Sequence, residues 1–147
     1  MKASELRIGN KLIHSEITTD KFGKVFSITA IFKDGAIQGT YSYEDQYYEQ
    51  AENEISCRID KLQAIPLTEE WLLKFGFKKN IDEAYEIETG RKAITISEAQ
   101  DDGYCFLCYR CDIGMDYVGI DFVDYVHQLQ DLYFALTGEE LTIKANV

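Results

Sequence analysis

Between Asp121 and Gly138 the apolar residues Phe122, Tyr125, Val126, Leu129, Leu132, Tyr133 and Leu136 recur at steps of three and four. At 100° per residue this spacing gathers them into one stripe of an α-helix, with Asp124, Gln128 and Asp131 on the solvated side. Asp121 is placed to cap the first free N–H groups, Ile120 and Tyr125 to close a hydrophobic staple, and Gly138 to end the helix in a left-handed turn. Such a helix has to bury its stripe against another layer. Val123, His127, Gln130 and Phe134 widen the apolar arc on one flank. That width predicts two lobes that share one core.

The segments before the helix supply short strands. Leu6-Arg7-Ile8-Gly9-Asn10 leads into Leu12-Ile13, and Val25 to Phe32 places Phe26, Ile28, Ala30 and Phe32 on one face. Lys33-Asp34-Gly35 is a hairpin signal, and a return strand from Ala36 to Tyr43 puts Ile37, Gly39, Tyr41 and Tyr43 together. Glu44 to Asn53 mixes tyrosines with acids and is open to a helical turn or a loop, and Ile55 to Ile59 reads as one more strand. Several short antiparallel strands in this span predict a small SH3-like β-lobe over residues 1–66.

Residues 67–147 read as a helix, a meander and the long helix. Thr68 is placed to cap a short helix with Glu69 and Glu70 in its first turn and Trp71, Leu72 and Phe75 facing inward, and Gly76 ends it. Ala84–Glu88, Arg91–Glu98, Gly103–Cys111 and Tyr117–Ile120 follow as antiparallel strands, separated by turn signals at Gly90 and Asp101-Asp102-Gly103. Leu141-Thr142-Ile143 either adds an edge strand or trails off. The fold class expected is α+β.

Charge narrows the function. The formal net charge is −11, and residues 1–66 carry 8 Lys and Arg against 10 Asp and Glu, while residues 67–147 carry 7 against 16. Direct binding to nucleic acid or to an anionic membrane needs a cationic surface, so neither is expected. No stretch approaches the roughly 20 apolar residues of a membrane span, and no targeting segment is evident. A cytoplasmic protein with reduced thiols is the expectation.

Three stretches carry a likeness. Leu6-Arg7-Ile8-Gly9-Asn10, the run from Ile65 to Phe77 (Ile65-Pro66-Leu67-Thr68-Glu69-Glu70-Trp71-Leu72-Leu73-Lys74-Phe75-Gly76-Phe77), and Tyr125 to Gln130 continued by Leu132 to Leu141 resemble a family of short uncharacterised proteins. That family is encoded by gut-dwelling anaerobic bacteria and by their phages and mobile elements. The resemblance implies a phage or mobile-element setting and brings no activity, cofactor or catalytic residue.

Constellations that could carry chemistry are few. Cys105, Cys108 and Cys111 repeat a C-x-x-C step, with Cys57 as a possible fourth thiolate, in the manner of an iron–sulfur or zinc run. They lie in an alternating Tyr104-Cys105-Phe106-Leu107-Cys108-Tyr109-Arg110-Cys111 pattern, and on a strand positions 105 and 111 point away from 108. The three are therefore read as structural, with no metal or other cofactor expected. His127 is a boundary histidine whose only companion, His14, is far away in sequence. Glu69-Glu70, Asp101-Asp102 and Glu139-Glu140 sit beside turns and helix ends, where acids cap and solubilise. Asp112, Asp116 and Asp121 lack the spacing of a calcium loop.

Tyr41, Tyr43, Tyr47 and Tyr48 cluster beside acids, and tyrosine buries much contact area at low entropic cost. The function expected is a non-enzymatic module that binds a protein partner through these tyrosines. An acidic nucleic-acid mimic that blocks a DNA-binding defence protein is the first alternative, resting on the charge after Pro66. An enzyme in which His127 meets a distant carboxylate is the second.

Overall fold

The computed structural model describes residues 1–15, 25–45, 48–89, 92–99, 103–110 and 117–144; the side chains of 42–45, 48–53, 92, 98–99, 103–110 and 117–121 lie outside that description. The chain divides into two units, Met1–Ile65 and Pro66–Val147. The architecture is α+β, with two five-stranded antiparallel sheets and two α-helices among the described residues, one of the helices C-terminal.

The first unit holds β1 (Lys11–His14), β2 (Val25–Ile31), β3 (Ala36–Asp45), β4 (Tyr48–Arg58) and β5 (Leu62–Ala64), in the spatial order β4-β3-β2-β1-β5. Leu6, Leu12, Phe26, Ile28, Ile37 and Leu62 form its core, with Ile55, Cys57 and Ile59 packed around them. Burial alternates along β2, deepest at Phe26 and Ile28, and a bulge between Ile28 and Ala30 shifts its register with β3. Ala30, expected on the core face, is only half-buried, and Phe32, expected there too, is exposed because it lies past the end of β2 in the hairpin turn.

Asn10 is fully buried and organises the approach to β1. Its Oδ1 accepts the Arg7 N–H at 2.7 Å, and its carbonyl accepts the Ile28 N–H at 3.0 Å. Gly9, with φ 94, donates its N–H to the Ile28 carbonyl at 2.8 Å. The Arg7-Ile8-Gly9-Asn10 stretch is thus a turn stitched onto β2. The hairpin signal at Lys33-Asp34-Gly35 is realised as expected: Gly35 N–H donates to the Phe32 carbonyl at 3.0 Å, Phe32 N–H to the Ala36 carbonyl at 2.9 Å, and Ala36 N–H to Asp34 Oδ1 at 3.0 Å.

Glu44 to Asn53, left open between a helical turn and a loop, is strand wherever it is described. Residues 44 and 45 end β3, and β4 runs from Tyr48, with Asp45 opposite Tyr48 and Tyr43 opposite Ala51. Its acids hide it from an apolar-alternation reading, since edge strands commonly carry charge in place of a second buried face.

The second unit holds α1 (Glu69–Lys74), β6 (Lys78–Lys79), β7 (Tyr85–Thr89), β8 (Lys92–Ala99), β9 (Gly103–Arg110), β10 (Tyr117–Val123) and α2 (Val126–Thr137). Its sheet is a plain meander in the order β10-β9-β8-β7-β6. The buried residues come from both helices and the strands: Leu72, Phe75, Phe77, Tyr85, Ile94, Ile96, Val123, Val126 and Leu129 among them. Thr68 occupies the N-cap of α1, but its hydroxyl makes no capping bond. Leu141-Thr142-Ile143 forms no strand; Leu141 is buried, and the Lys144 N–H donates to the Lys74 carbonyl at the end of α1 at 2.8 Å.

The start of the long helix differs from the pattern reading. Asp121, Phe122 and Val123 belong to β10, paired with Phe106, Cys105 and Tyr104, and the helix begins at Val126. In place of an Asp121 cap, Gln128 Oε1 reaches back to accept the N–H groups of Asp124 at 3.0 Å and Tyr125 at 3.2 Å. Phe122 is 63% exposed, outside the buried stripe. The buried face is Val126, His127, Leu129, Gln130 and Tyr133, turned toward the flank, while Leu132 and Leu136 are only half-buried. Gly138 ends α2 at φ 73 as expected, its N–H on the Phe134 carbonyl at 2.8 Å.

Asn80 governs the β6–β7 hairpin. Its Oδ1 accepts the N–H groups of Asp82 at 3.0 Å and Ala84 at 3.1 Å, and Glu83 is held at φ 61. Asn80→Ala removes both bonds, and urea denaturation should show a loss of about 1–2 kcal/mol, with Asn80→Asp retaining most of it.

Candidate functional site

The tyrosine-bearing segment lies on the β3–β4 ribbon. Pairing of β2 with β3 runs from Ile31 opposite Ile37 to Phe26 opposite Tyr41 and stops there. Pairing of β3 with β4 continues through Ser42 opposite Glu52 and Tyr43 opposite Ala51 to Asp45 opposite Tyr48. Among the described residues, the far end of the ribbon is therefore held by its own two strands alone. Tyr41 is half-buried at the last rung shared with β2. Tyr43 and Tyr48 are placed by their backbone on the far end, and Tyr47 lies outside the described residues. The ribbon brings Tyr41, Tyr43 and Tyr48 within a few rungs of one another, although they come from two strands.

The cysteine run falls on a strand interior to the second sheet. Cys105 stands opposite Ser97 and Phe122, and Cys108 opposite Ile94 and Val118; Cys111 lies outside the described residues. Cys57 is half-buried on β4 in the first unit, packed against its core. Among the described residues no three His, Cys, Asp or Glu side chains are grouped so as to hold a metal ion.

His127 is 3% exposed on the buried face of α2, its ring stacked on Tyr125 with centroids 5.9 Å apart and 17° between planes. His14 is buried in the first unit, tilted over Phe26 at 5.9 Å. The carboxylate pairs keep their local roles where they are described: Glu70 meets Lys74 at 2.7 Å along α1, and Glu139-Glu140 follow the Gly138 stop. Burial, and then the Glu139 charge, raise the Tyr133 phenol above its ordinary value.

A polar pair that the sequence does not announce lies across β1 and β2. Lys11 is in register with Ser27, and its Nζ donates to the Ser27 Oγ at 2.9 Å. Burial pushes the Lys11 amine below the usual lysine value. Only the register brings these residues together; their separation in sequence gives no signal.

No helix among the described residues is long and apolar enough to cross a membrane. No protein-family model matches the chain, and no match is found among the curated proteins or the solved structures.

Proposed function

We propose that this chain is a non-enzymatic protein-interaction module of a phage or mobile-element setting, working in the cytoplasm, and that the β3–β4 ribbon carrying Tyr41, Tyr43, Tyr47 and Tyr48 is its contact surface. The observation that carries the reading is that, among the described residues, β3 and β4 stay paired past the last rung with β2, which brings Tyr43 and Tyr48 onto two strands that pair with each other. A two-stranded ribbon gains little stability by itself, and tyrosines that bury area against a partner would add to it. The setting rests on the family resemblance of the three segments quoted above. An SH3-like character for the first unit is supported by the strand order β4-β3-β2-β1-β5, the β2 bulge, and the 3-10 turn Ile59–Lys61 that precedes β5.

The test is affinity capture from host lysate with elution in salt steps, comparing the native chain with a Tyr47→Ala, Tyr48→Ala double variant whose circular dichroism is unchanged. A salt-resistant protein partner should be lost from the variant by at least about tenfold, as for tyrosine anchors worth 1.4 kcal/mol or more. If every partner stays bound, the surface assignment is wrong. The acidic excess of residues 67–147 favours the second reading, a nucleic-acid mimic. Under that reading the captured protein would bind nucleic acid and leave at moderate salt.

A further inference from the structure

We propose that this chain binds a second copy of itself through the β6–β7 tip: Ile81, flanked by Asp82 and Glu83, seats on the lysine-bordered apolar surface around Leu73 and Ile143 of the other copy. Ile81 is 98% exposed, the most exposed large apolar residue among those described. The turn itself does not call for an apolar residue there, because Asn80 makes it, with its Oδ1 accepting the N–H groups of Asp82 and Ala84. Two backbone bonds fix the tip further: the Asn80 N–H donates to the Ala84 carbonyl at 2.8 Å and the Glu83 N–H to the Asn80 carbonyl at 3.1 Å. Ile81 is thus offered on an ordered turn, which lowers the entropy lost when it binds. At that exposure it has almost no contact with its own copy, so what it meets lies on another molecule.

The receiving surface is built where the chain after α2 reaches the end of α1. The Lys144 N–H donates to the Lys74 carbonyl at 2.8 Å, which brings Ile143 and Lys144 beside Leu73 and Lys74. Leu73 is 50% exposed and Ile143 44%. Of the seven Lys and Arg in residues 67–147, four are here, Lys74, Lys78, Lys79 and Lys144, and the stretches 71–81 and 141–144 contain no acid. The remainder of residues 67–147 holds three basic residues against 16 acidic ones. Lys74 is engaged by Glu70 at 2.7 Å, while Lys78, Lys79 and Lys144 are exposed. An acid-flanked apolar tip complements such a surface: Ile81 buries against Leu73 and Ile143 while Asp82 and Glu83 meet the lysines. A lone exposed apolar residue is ordinary on a protein surface, and that plainer account predicts a monomer. The sorting of charge argues for a second copy, since tip and surface carry opposite signs within one chain.

Sedimentation velocity of the full chain from about 5 to 500 µM at low salt should show reversible association, with a Kd of roughly tens to hundreds of micromolar for so small a contact. Raising the salt to about 0.5 M should weaken it several-fold. Ile81→Ser should raise the Kd by at least about tenfold while leaving circular dichroism unchanged. Opposite charge reversals give the sharper comparison. Asp82→Lys with Glu83→Lys makes the tip basic like the surface, and Lys78→Glu with Lys144→Glu makes the surface acidic like the tip. Each double variant alone should associate at least about tenfold more weakly than the native chain, and an equimolar mixture of the two should recover native association. A native chain that stays monomeric over the whole range overturns the proposal. So does association that Ile81→Ser leaves unchanged, or a mixture of the two reversed variants, both folded by circular dichroism, that associates no better than either alone.

Discussion

Gly39→Ala should destabilise the first unit by about 3 kcal/mol or more, at the upper end of what overpacking costs. A β-carbon at position 39 would stand 2.5 Å from Phe26 Cε1 and closer still to Phe26 Cζ and the Ser27 carbonyl oxygen. The Phe26 ring is fully buried, and the Ser27 carbonyl belongs to the backbone of a central strand, so neither gives way cheaply. The glycine is needed for close approach, since its backbone is ordinary extended strand. Urea unfolding followed by far-ultraviolet circular dichroism measures the loss. Phe26→Leu removes the offending ring atoms, so the double variant should be less destabilised than the sum of the singles by about 1 kcal/mol. Strict additivity would mean that the ring is not the obstacle.

Phe75→Ala should cost about 3–5 kcal/mol, the range for deleting a fully buried aromatic ring. Phe75 closes α1, is completely buried, and lies 5.7 Å from the ring of Trp71, the chain's only tryptophan. Its loss should therefore change Trp71 emission in the native state as well as lower the urea midpoint read by that emission. Leu73→Ala, two residues away on the exposed side of the same helix, should stay within about 0.5 kcal/mol of the native chain. Equal effects from the two would contradict the orientation of α1.

The elements that were legible in the sequence are those whose signal is local. The Lys33-Asp34-Gly35 turn, the α1 segment closed by Gly76 at φ 93, and the Gly138 stop each depend on the backbone freedom of a few adjacent residues. The alternation around Cys105 and Cys108 likewise reads as the strand that β9 is. What escaped depends on partners distant in sequence. Phe122 and Val123 satisfy helical spacing as well as strand propensity, and pairing with β9 decides for the strand. The Tyr48–Asn53 part of β4 has no apolar alternation to show, and becomes strand through its register with β3. The Lys11–Ser27 pair exists only as a rung between two strands, so no pattern within either segment points to it. His127 and Gln130 are polar residues on the buried arc of α2, which the apolar stripe placed on a flank.

The two sheets also set different kinetic problems. In the second unit every neighbouring pair of strands is consecutive in the chain, so that sheet can grow by successive hairpins. The first sheet follows the same rule until its last strand, because β5 pairs with β1, placing Ala64 opposite Leu12. Closing that loop of about 50 residues costs about 2 kcal/mol more chain entropy than closing a four-residue turn. The rung between β1 and β5 is thus the non-local event on which the folding rate of the first unit depends, and the ends of its sequence must meet before its core is sealed.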